Sequence, residues 1–206
     1  MTSPNGEIDA EKAVMGLKEA EEAARRGLPP VESWSPARRH RIDMRIARDG
    51  TWIYQGSPIG RARLVKLFST ILKREADGSF HLVTPAEQAE IHVEDAPFIA
   101  VAMERAGQGR EQTLAFTTAQ GDVAVAGADH ALRIEIDPES GEPAPYVHVR
   151  GTSGGGLEAR LSRPVYYDLV ELGGVDEVNG ERWFGVWSGG VFFPMQRAEE
   201  VEAVSP

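Results

Sequence analysis

Arginine is concentrated in one segment of an otherwise acidic chain. Ten basic and three acidic residues lie between Pro36 and Glu75, which gives this segment a net charge of +7. The other 12 of the 22 basic residues and 29 of the 32 acidic ones leave the remainder at −17. Guanidinium groups suit phosphate and carboxylate, and aromatic rings add stacking surface, so the pattern predicts a site for an anionic partner such as a nucleotide, a nucleic acid or an acidic protein surface. Its candidate residues are Arg45, Arg48, Trp52, Tyr54, Arg61 and Arg63.

A purely structural explanation of the same arginines stays open. They can pair with the chain's own carboxylates or face solvent, since surface ion pairs are common and each contributes only about 0–1 kcal/mol. Arg61 differs from the others, because helical spacing places it on the same side as Leu64 and Phe68. There it either bonds backbone carbonyls between two lobes or faces a cleft.

Other kinds of chemistry find little support in the sequence. The absence of cysteine excludes disulfides, thiolate metal sites and cysteine nucleophiles. The five histidines lack metal-ligand spacing, and the glycine run from Gly151 to Gly156 lacks the lysine of a phosphate loop. We therefore predict no catalytic residues, no metal and no cofactor.

The composition predicts a soluble, cytoplasmic protein. The 206 residues are 41% hydrophobic with a net charge of −10, which is enough apolar material for a folded core. No apolar run approaches the roughly 20 residues that span a bilayer, and the first ten residues have neither the basic start nor the apolar stretch of a signal peptide. We expect no membrane partner.

The pattern along the chain predicts an α+β fold with two lobes. Residues 1–35 are predicted to form a helical arm and linker, residues 36–85 an N-terminal α+β lobe, and residues 86–206 a C-terminal β-rich lobe. The C-terminal lobe should be a mainly antiparallel, barrel-like sheet capped by a helix.

The N-terminal lobe is predicted to contain a hairpin, a helix and a strand. Apolar alternation on both sides of Asp49-Gly50 indicates the hairpin. Ser57 followed by Pro58 is typical of a helix start, and the helical spacing continues to about Glu75. Asp77-Gly78 then turns the chain into a strand at residues 80–83.

The C-terminal lobe is predicted from short β-branched and aromatic runs separated by turn residues. The predicted strands are residues 113–117, 123–126, 132–136, 146–150 and 157–161, followed by a helix at 165–172 and an aromatic hairpin at 183–187 and 191–193.

An internal repeat is also indicated. Ser57-Pro58, a helix and Asp77-Gly78 are echoed about 105 residues later by Ser162, Pro164, a helix and Asn179-Gly180. Each matched residue is a common turn former, so duplication and coincidence both remain open.

The segments RIARDGTWIYQGSPI, LVKLF, DGSFHLVTP and VEDAPF, together with RPVYYDLVEL further on, resemble a bacterial family known only as a domain of unknown function. The resemblance covers most of the chain from Pro29 onward. It implies a two-lobed fold with a repeated core motif, a C-terminal lobe similar to pleckstrin-homology domains, and a signalling or regulatory role. It carries no catalytic residues, and a fold alone does not fix a function.

Three functions follow as hypotheses. The preferred one is a non-enzymatic regulatory protein that binds a protein or an anionic ligand at the junction of its lobes. The first alternative is a hydrolytic or transferase-type enzyme that uses carboxylates and histidines brought together by the fold. The second is nucleic-acid binding through the basic N-terminal lobe, whose affinity would fall steeply with salt.

Overall fold

The structure, a computed structural model, describes residues 27–137, 141–152 and 155–204, and in them β-strands predominate over three α-helices. The described residues form two compact units. The N-terminal unit extends to Glu94 and also includes Gly151, Thr152 and Gly155, and the C-terminal unit contains the other described residues from Asp95 onward. Most of the predicted helical arm lies outside the described residues.

The N-terminal unit is a curled six-stranded sheet with one helix. In the order β3-β2-β1-β6-β5-β4, the central pair β1 and β6 is parallel and every other pair is antiparallel. The helix α1 connects β3 to β4, the two opposite edges of the sheet. The elements are β1 (Arg38–Ile46), β2 (Trp52–Tyr54), β3 (Ser57–Pro58), α1 (Ala62–Thr70), β4 (Leu72–Arg74), β5 (Phe80–Val83) and β6 (Glu87–Val93).

The predicted helix start at Ser57 and Pro58 is wrong. These two residues form β3, which pairs with Ile53 and Tyr54 of β2. The turn between the strands has positive φ angles at Gln55 (48°) and Gly56 (76°), the conformation of a tight hairpin that reverses the chain at once. The helix begins only at Ala62, with Arg61 as its N-cap residue.

The predicted helix end at Glu75 is also wrong, because the helix stops at Thr70. The hydroxyl groups of Ser69 and Thr70 donate hydrogen bonds to the carbonyl oxygens of Lys66 and Leu67, each at 2.7 Å. Beyond them, Leu72 enters β4 opposite Leu82 and is only 1% exposed. Burial of Leu72 in the sheet therefore overrides the helical spacing of the sequence.

The C-terminal unit combines a second six-stranded sheet with a three-stranded one. The larger sheet has the order β10-β11-β12-β7-β8-β9, with β7 and β12 parallel, and the smaller one is β13-β14-β15. The elements are β7 (Phe98–Ala106), β8 (Thr113–Thr118), β9 (Val123–Val125), β10 (Leu132–Ile136), β11 (Pro143–Arg150), β12 (Leu157–Leu161), α2 (Arg163–Glu171), β13 (Gly174–Val178), β14 (Glu181–Ser188), β15 (Val191–Arg197) and α3 (Ala198–Val204).

The two large sheets share one topology. In each, three consecutive antiparallel strands and the next three meet through a central parallel pair, formed by the first and the last strand. The corresponding first strands, β1 and β7, are both nine residues long and start 60 residues apart. This repeat differs from the predicted one, since Ser57 lies in a strand whereas Ser162 is the N-cap of α2. The broad prediction of an α+β protein is confirmed, with strands predominating over helices in the described residues.

A part-buried polar network links Asp95 to the antiparallel strands β10, β11 and β12 of the second large sheet. The carboxylate of Asp95 accepts a hydrogen bond from the Tyr146 hydroxyl at 2.6 Å and pairs with the Arg160 guanidinium. Arg133 lies over the Tyr146 ring, 4.3 Å from its centroid. Burial, followed by the hydrogen bond to Asp95 and its charge, raises the pKa of Tyr146 to about 12.

Tyr146 should therefore ionise well above the usual pKa of a tyrosine, which is about 10. In a spectrophotometric titration of the folded chain, Tyr146→Phe should remove a phenol that ionises near pH 12. Because the folded-state pKa exceeds the unfolded value of about 10, this group's contribution to stability is complete below about pH 10 and is lost as the pH rises through 12. Loss of a phenol that titrates near pH 10 instead would contradict the network.

Candidate functional site

An apolar pocket opens between α1 and the sheet of the N-terminal unit. Its volume is about 370 Å³, within the range of roughly 300–1,000 Å³ that is usual for small-molecule sites. All twelve of its lining residues belong to this unit. We call it the α1 pocket, lined by His40, Ile42, Met44, Tyr54, Ile59, Leu64, Phe68, Ile71, Leu82, Thr84, Glu87 and Ala89.

The floor of the α1 pocket follows from the alternation of side chains along β1. Successive side chains of a strand point to opposite faces, so His40, Ile42 and Met44 share the pocket face. The residues between them, such as Arg41 and Asp43, are exposed. The adjacent strand β6 contributes Ala89 to the floor, and β5 beyond it contributes Leu82, which is opposite Ala89 in the ladder.

The roof of the pocket is the apolar face of α1, and this face is only half covered. Leu64 and Phe68 line the pocket, and both are of intermediate exposure. The Phe68 ring stacks on the ring of Trp52, and the two ring centroids lie 6.1 Å apart. The buried residues of the helix are the small polar Ser69 and Thr70 rather than its large apolar side chains. The apolar side chains of α1, which in most proteins would be buried in the core, therefore face the open space of the pocket.

One end of the pocket carries polar and acidic groups. His40, Thr84 and Glu87 lie where β1 and β6 begin and β5 ends. The Glu87 carboxylate lies 3.7 Å from the Arg38 guanidinium, which balances its charge. The Nδ1 atom of His40 is buried and has no hydrogen-bond partner among the described residues.

At the opposite end, an arginine lies close in sequence to two of the lining residues. Ile59, whose backbone N–H bonds to the Trp52 carbonyl, lies near the far end of β1, and Arg61 follows it two residues later. Arg61 stands between the pocket residues Ile59 and Leu64, and it is exposed. Neither Arg61 nor Arg63 forms an ion pair with any carboxylate in the described part of the chain.

The predicted site residues are not all gathered at this pocket. Tyr54 lines it and is 41% exposed, whereas Arg61 does not line it but lies in the chain between the lining residues Ile59 and Leu64. Trp52 is only 2% exposed, so it supports Phe68 from within the core. Arg45 pairs with Glu94, which also accepts a hydrogen bond from the Arg48 backbone N–H at 3.0 Å. The anion-binding role of these residues stays a prediction.

Most of the pocket residues were missed by reasoning from sequence. The alternation of Ile42, Met44 and Ile46 marks a strand with one apolar face, and the helical spacing of Leu64 and Phe68 marks the roof. Both signals were available, but each is normally a sign of a filled core. Only the structure shows that the helix and the sheet leave space between them.

Two negative results apply to the described ranges. No group of three or more histidine or acidic side chains is close enough to hold a metal ion. No helix there is long and apolar enough to cross a membrane.

Comparison with known proteins gives a consistent picture. A family model described as "Domain of unknown function (DUF1285), N-terminal domain" matches residues 29–96, and one described as "Protein of unknown function (DUF1285), C-terminal domain" matches residues 97–195. No curated protein matches the chain.

Two solved structures resemble the chain. A DUF1285 family protein from Silicibacter pomeroyi DSS-3 is 53% identical, with a TM-score of 0.77, and the match covers 89% of this chain and 97% of that one. A DUF1285 family protein from Shewanella baltica OS155 is 27% identical, with a TM-score of 0.47, and the match covers 63% and 91%. The predicted resemblance to a two-part family of unknown function is confirmed. Because the two family models together span most of its length, the chain belongs to the DUF1285 family.

Proposed function

We propose that this protein is a non-enzymatic binding protein whose N-terminal unit takes up an apolar molecule with an anionic group. The observation that carries the proposal is the α1 pocket. It is apolar, its roof is only partly covered, and the exposed Arg61 lies in the chain between its lining residues Ile59 and Leu64. A ligand there would cover the exposed parts of Leu64 and Phe68. Such burial contributes about 25 cal/mol for each Å² of apolar surface removed from water.

The charges near the pocket favour an anion at the Arg61 end. Glu87 and its partner Arg38 occupy the other end, where a ligand carboxylate would meet a carboxylate of the protein. Arg61 has no carboxylate partner within the described residues, so its charge is available to a ligand. The floor runs along β1 from His40 to Met44, through the irregularity of the ladder between Arg41 and Arg45, and this direction suits a chain-like ligand.

Part of the preferred hypothesis goes beyond this pocket. The regulatory or signalling role, a protein as partner, and binding at the junction of the lobes stay predictions. The same holds for the pleckstrin-homology-like arrangement of the C-terminal lobe and for nucleic-acid binding through the basic segment.

One observation favours a second candidate, a hydrolytic or transferase-type enzyme. His40 and Glu87 line the same pocket and lie on adjacent, parallel strands, with Arg38 opposite Glu87 and His40 opposite Ala89 in the ladder. A histidine and a carboxylate beside an apolar pocket can act as general base and orienting group. Turnover of p-nitrophenyl octanoate that is lost in His40→Ala would support this candidate over simple binding.

The proposal is tested by titrating the full chain with octanoate and, separately, with octan-1-ol, using calorimetry. We expect both to bind and affinity to rise about fourfold with each methylene added from hexanoate to octanoate. Arg61→Glu removes an exposed ion pair, which contributes up to about fivefold, and replaces it by repulsion between two carboxylates. The affinity for octanoate should therefore fall at least about fivefold, and the affinity for octan-1-ol should stay unchanged.

Arg63→Glu is the matched control, since it makes the same change of charge on an exposed arginine two residues away. It should weaken octanoate much less than Arg61→Glu does. If the two variants lose the same amount of octanoate affinity, the effect comes from the overall charge of the protein and not from a specific contact with Arg61. An unchanged octanoate affinity in Arg61→Glu would contradict the assignment of Arg61.

A further inference from the structure

A second cavity lies within the C-terminal unit. Its volume is about 490 Å³, and it is bounded by β10, the start of β11, α2, β14, β15 and α3. Its walls include three aromatic side chains and a methionine, namely Tyr166, Trp183, Phe184 and Met195. All four are of intermediate exposure, so large side chains typical of a core remain partly uncovered here. We call this cavity the aromatic pocket.

The aromatic walls are held in place by their neighbours. A Cβ atom added to Gly173 would lie 2.1 Å from Cζ of Phe184, so the Phe184 ring packs directly on the backbone of this glycine. The Arg197 guanidinium lies over Trp183, 4.3 Å from the centroid of that ring, and pairs with Glu181. A pocket whose walls are already fixed loses little conformational entropy when a ligand binds.

The lining of the aromatic pocket has one negative charge that no positive group in the described residues compensates. Arg197 and Glu200 are the charged residues among those that line it. The charge of Arg197 is compensated by its ion pair with Glu181. The Arg197 guanidinium also contacts one face of the Trp183 ring. Glu200 is exposed and forms no ion pair with the described residues. The lining therefore retains one uncompensated carboxylate beside several aromatic rings.

From these contacts we infer that the aromatic pocket is a second binding site, which takes an organic cation with an apolar body. Aromatic faces attract cations by about 0.5–2 kcal/mol, and Arg197 on Trp183 already shows such a contact inside the protein. The Glu200 carboxylate adds attraction for a positive group, and it would repel an anion. This ligand class is opposite in charge to the one proposed for the α1 pocket.

The test uses the full chain and two probes of similar size and opposite charge, benzyltrimethylammonium and phenylacetate. Calorimetry should show binding of the cation, and the indole N–H signal of Trp183 should shift in NMR spectra. Glu200→Gln should weaken binding of the cation about two- to fivefold, which lies within the range of an exposed ion pair. Phenylacetate should leave the Trp183 signal unchanged.

Two variants complete the experiment. Glu199→Gln removes the adjacent exposed carboxylate, which does not line the pocket, and should leave cation affinity unchanged. Val170→Trp fills the pocket from α2 and should abolish binding while the thermal unfolding temperature stays near that of the unmodified chain. Absence of cation binding, equal effects of Glu199→Gln and Glu200→Gln, or binding retained in a folded Val170→Trp protein would each overturn the inference.

Discussion

Replacing Gly185 by alanine should destabilise the C-terminal unit by about 2–3 kcal/mol. Gly185 is buried in β14 at an irregularity of the ladder with β15. A Cβ atom added there would lie 2.3 Å from the backbone carbonyl oxygen of Phe193. Because that neighbour is backbone, no rotation of a side chain relieves the contact, and the two strands must separate. Urea unfolding followed by tryptophan fluorescence measures the loss, since Trp183 and Trp187 lie on the same strand.

Gly174→Ala is the control, because Gly174 is the partner of Gly185 in the β13–β14 ladder. A Cβ atom at Gly174 would meet no atom within 4 Å, and this glycine is exposed. We expect its unfolding free energy to stay within about 0.5 kcal/mol of the starting protein, as is usual for surface changes. Equal stabilities of the two variants would contradict the packing of this hairpin.

Filling the α1 pocket should abolish ligand binding. Ala89 lies in the floor, where a phenylalanine side chain would occupy the space that we assign to the ligand. In the Ala89→Phe variant, we expect octanoate affinity to fall at least about tenfold, which corresponds to 1.4 kcal/mol. Thermal stability should not fall, since the added ring enters a hollow and covers apolar surface that is now open. Calorimetry and thermal unfolding together measure the two effects.

Two variants on α1 distinguish a blocked pocket from a general disturbance of the fold. Leu64 lines the pocket, whereas Leu67 lies one turn further along α1 and does not. Leu64→Trp should therefore weaken octanoate as Ala89→Phe does, and Leu67→Trp should leave it unchanged. Octanoate that binds a folded Ala89→Phe protein as tightly as the unmodified chain would place the ligand elsewhere.

Many elements of the fold follow from local sequence. The strands Leu132–Ile136 and Leu157–Leu161 have the predicted bounds, and the turn at Asp49-Gly50 joins β1 to β2 as expected. These segments have alternating side chains and strong turn residues, which act over a few positions. Their local preference agrees with their place in the sheet.

The errors arise where tertiary packing decides between two local patterns. Ser57-Pro58 is a good helix start, but Gln55 and Gly56 form a tight turn that commits Ser57 and Pro58 to pairing with β2. Leu72 has helical spacing, yet it is buried opposite Leu82. The central parallel pairs join strands that are far apart in sequence, and no local pattern indicates which strands these are.

The candidate site was predictable only in part. Arg61 was singled out because helical spacing placed it on the same side as Leu64 and Phe68, but it is the extended N-cap residue just before the helix and does not itself line the pocket. Arg45 could not be assigned in this way, since its pairing with Glu94 depends on a carboxylate nearly fifty residues away. The hollow itself depends on how far α1 stands from the sheet, which residue types alone do not determine.

The most direct test of the central claim is a titration of the ¹⁵N-labelled full chain with octanoate, followed by NMR. If the α1 pocket is the binding site, the amide signals that shift most will belong to residues of β1, α1 and β6 that line it, including Ile42, Leu64 and Ala89. Shifts confined to other surfaces, or no shift at millimolar octanoate, would contradict the claim.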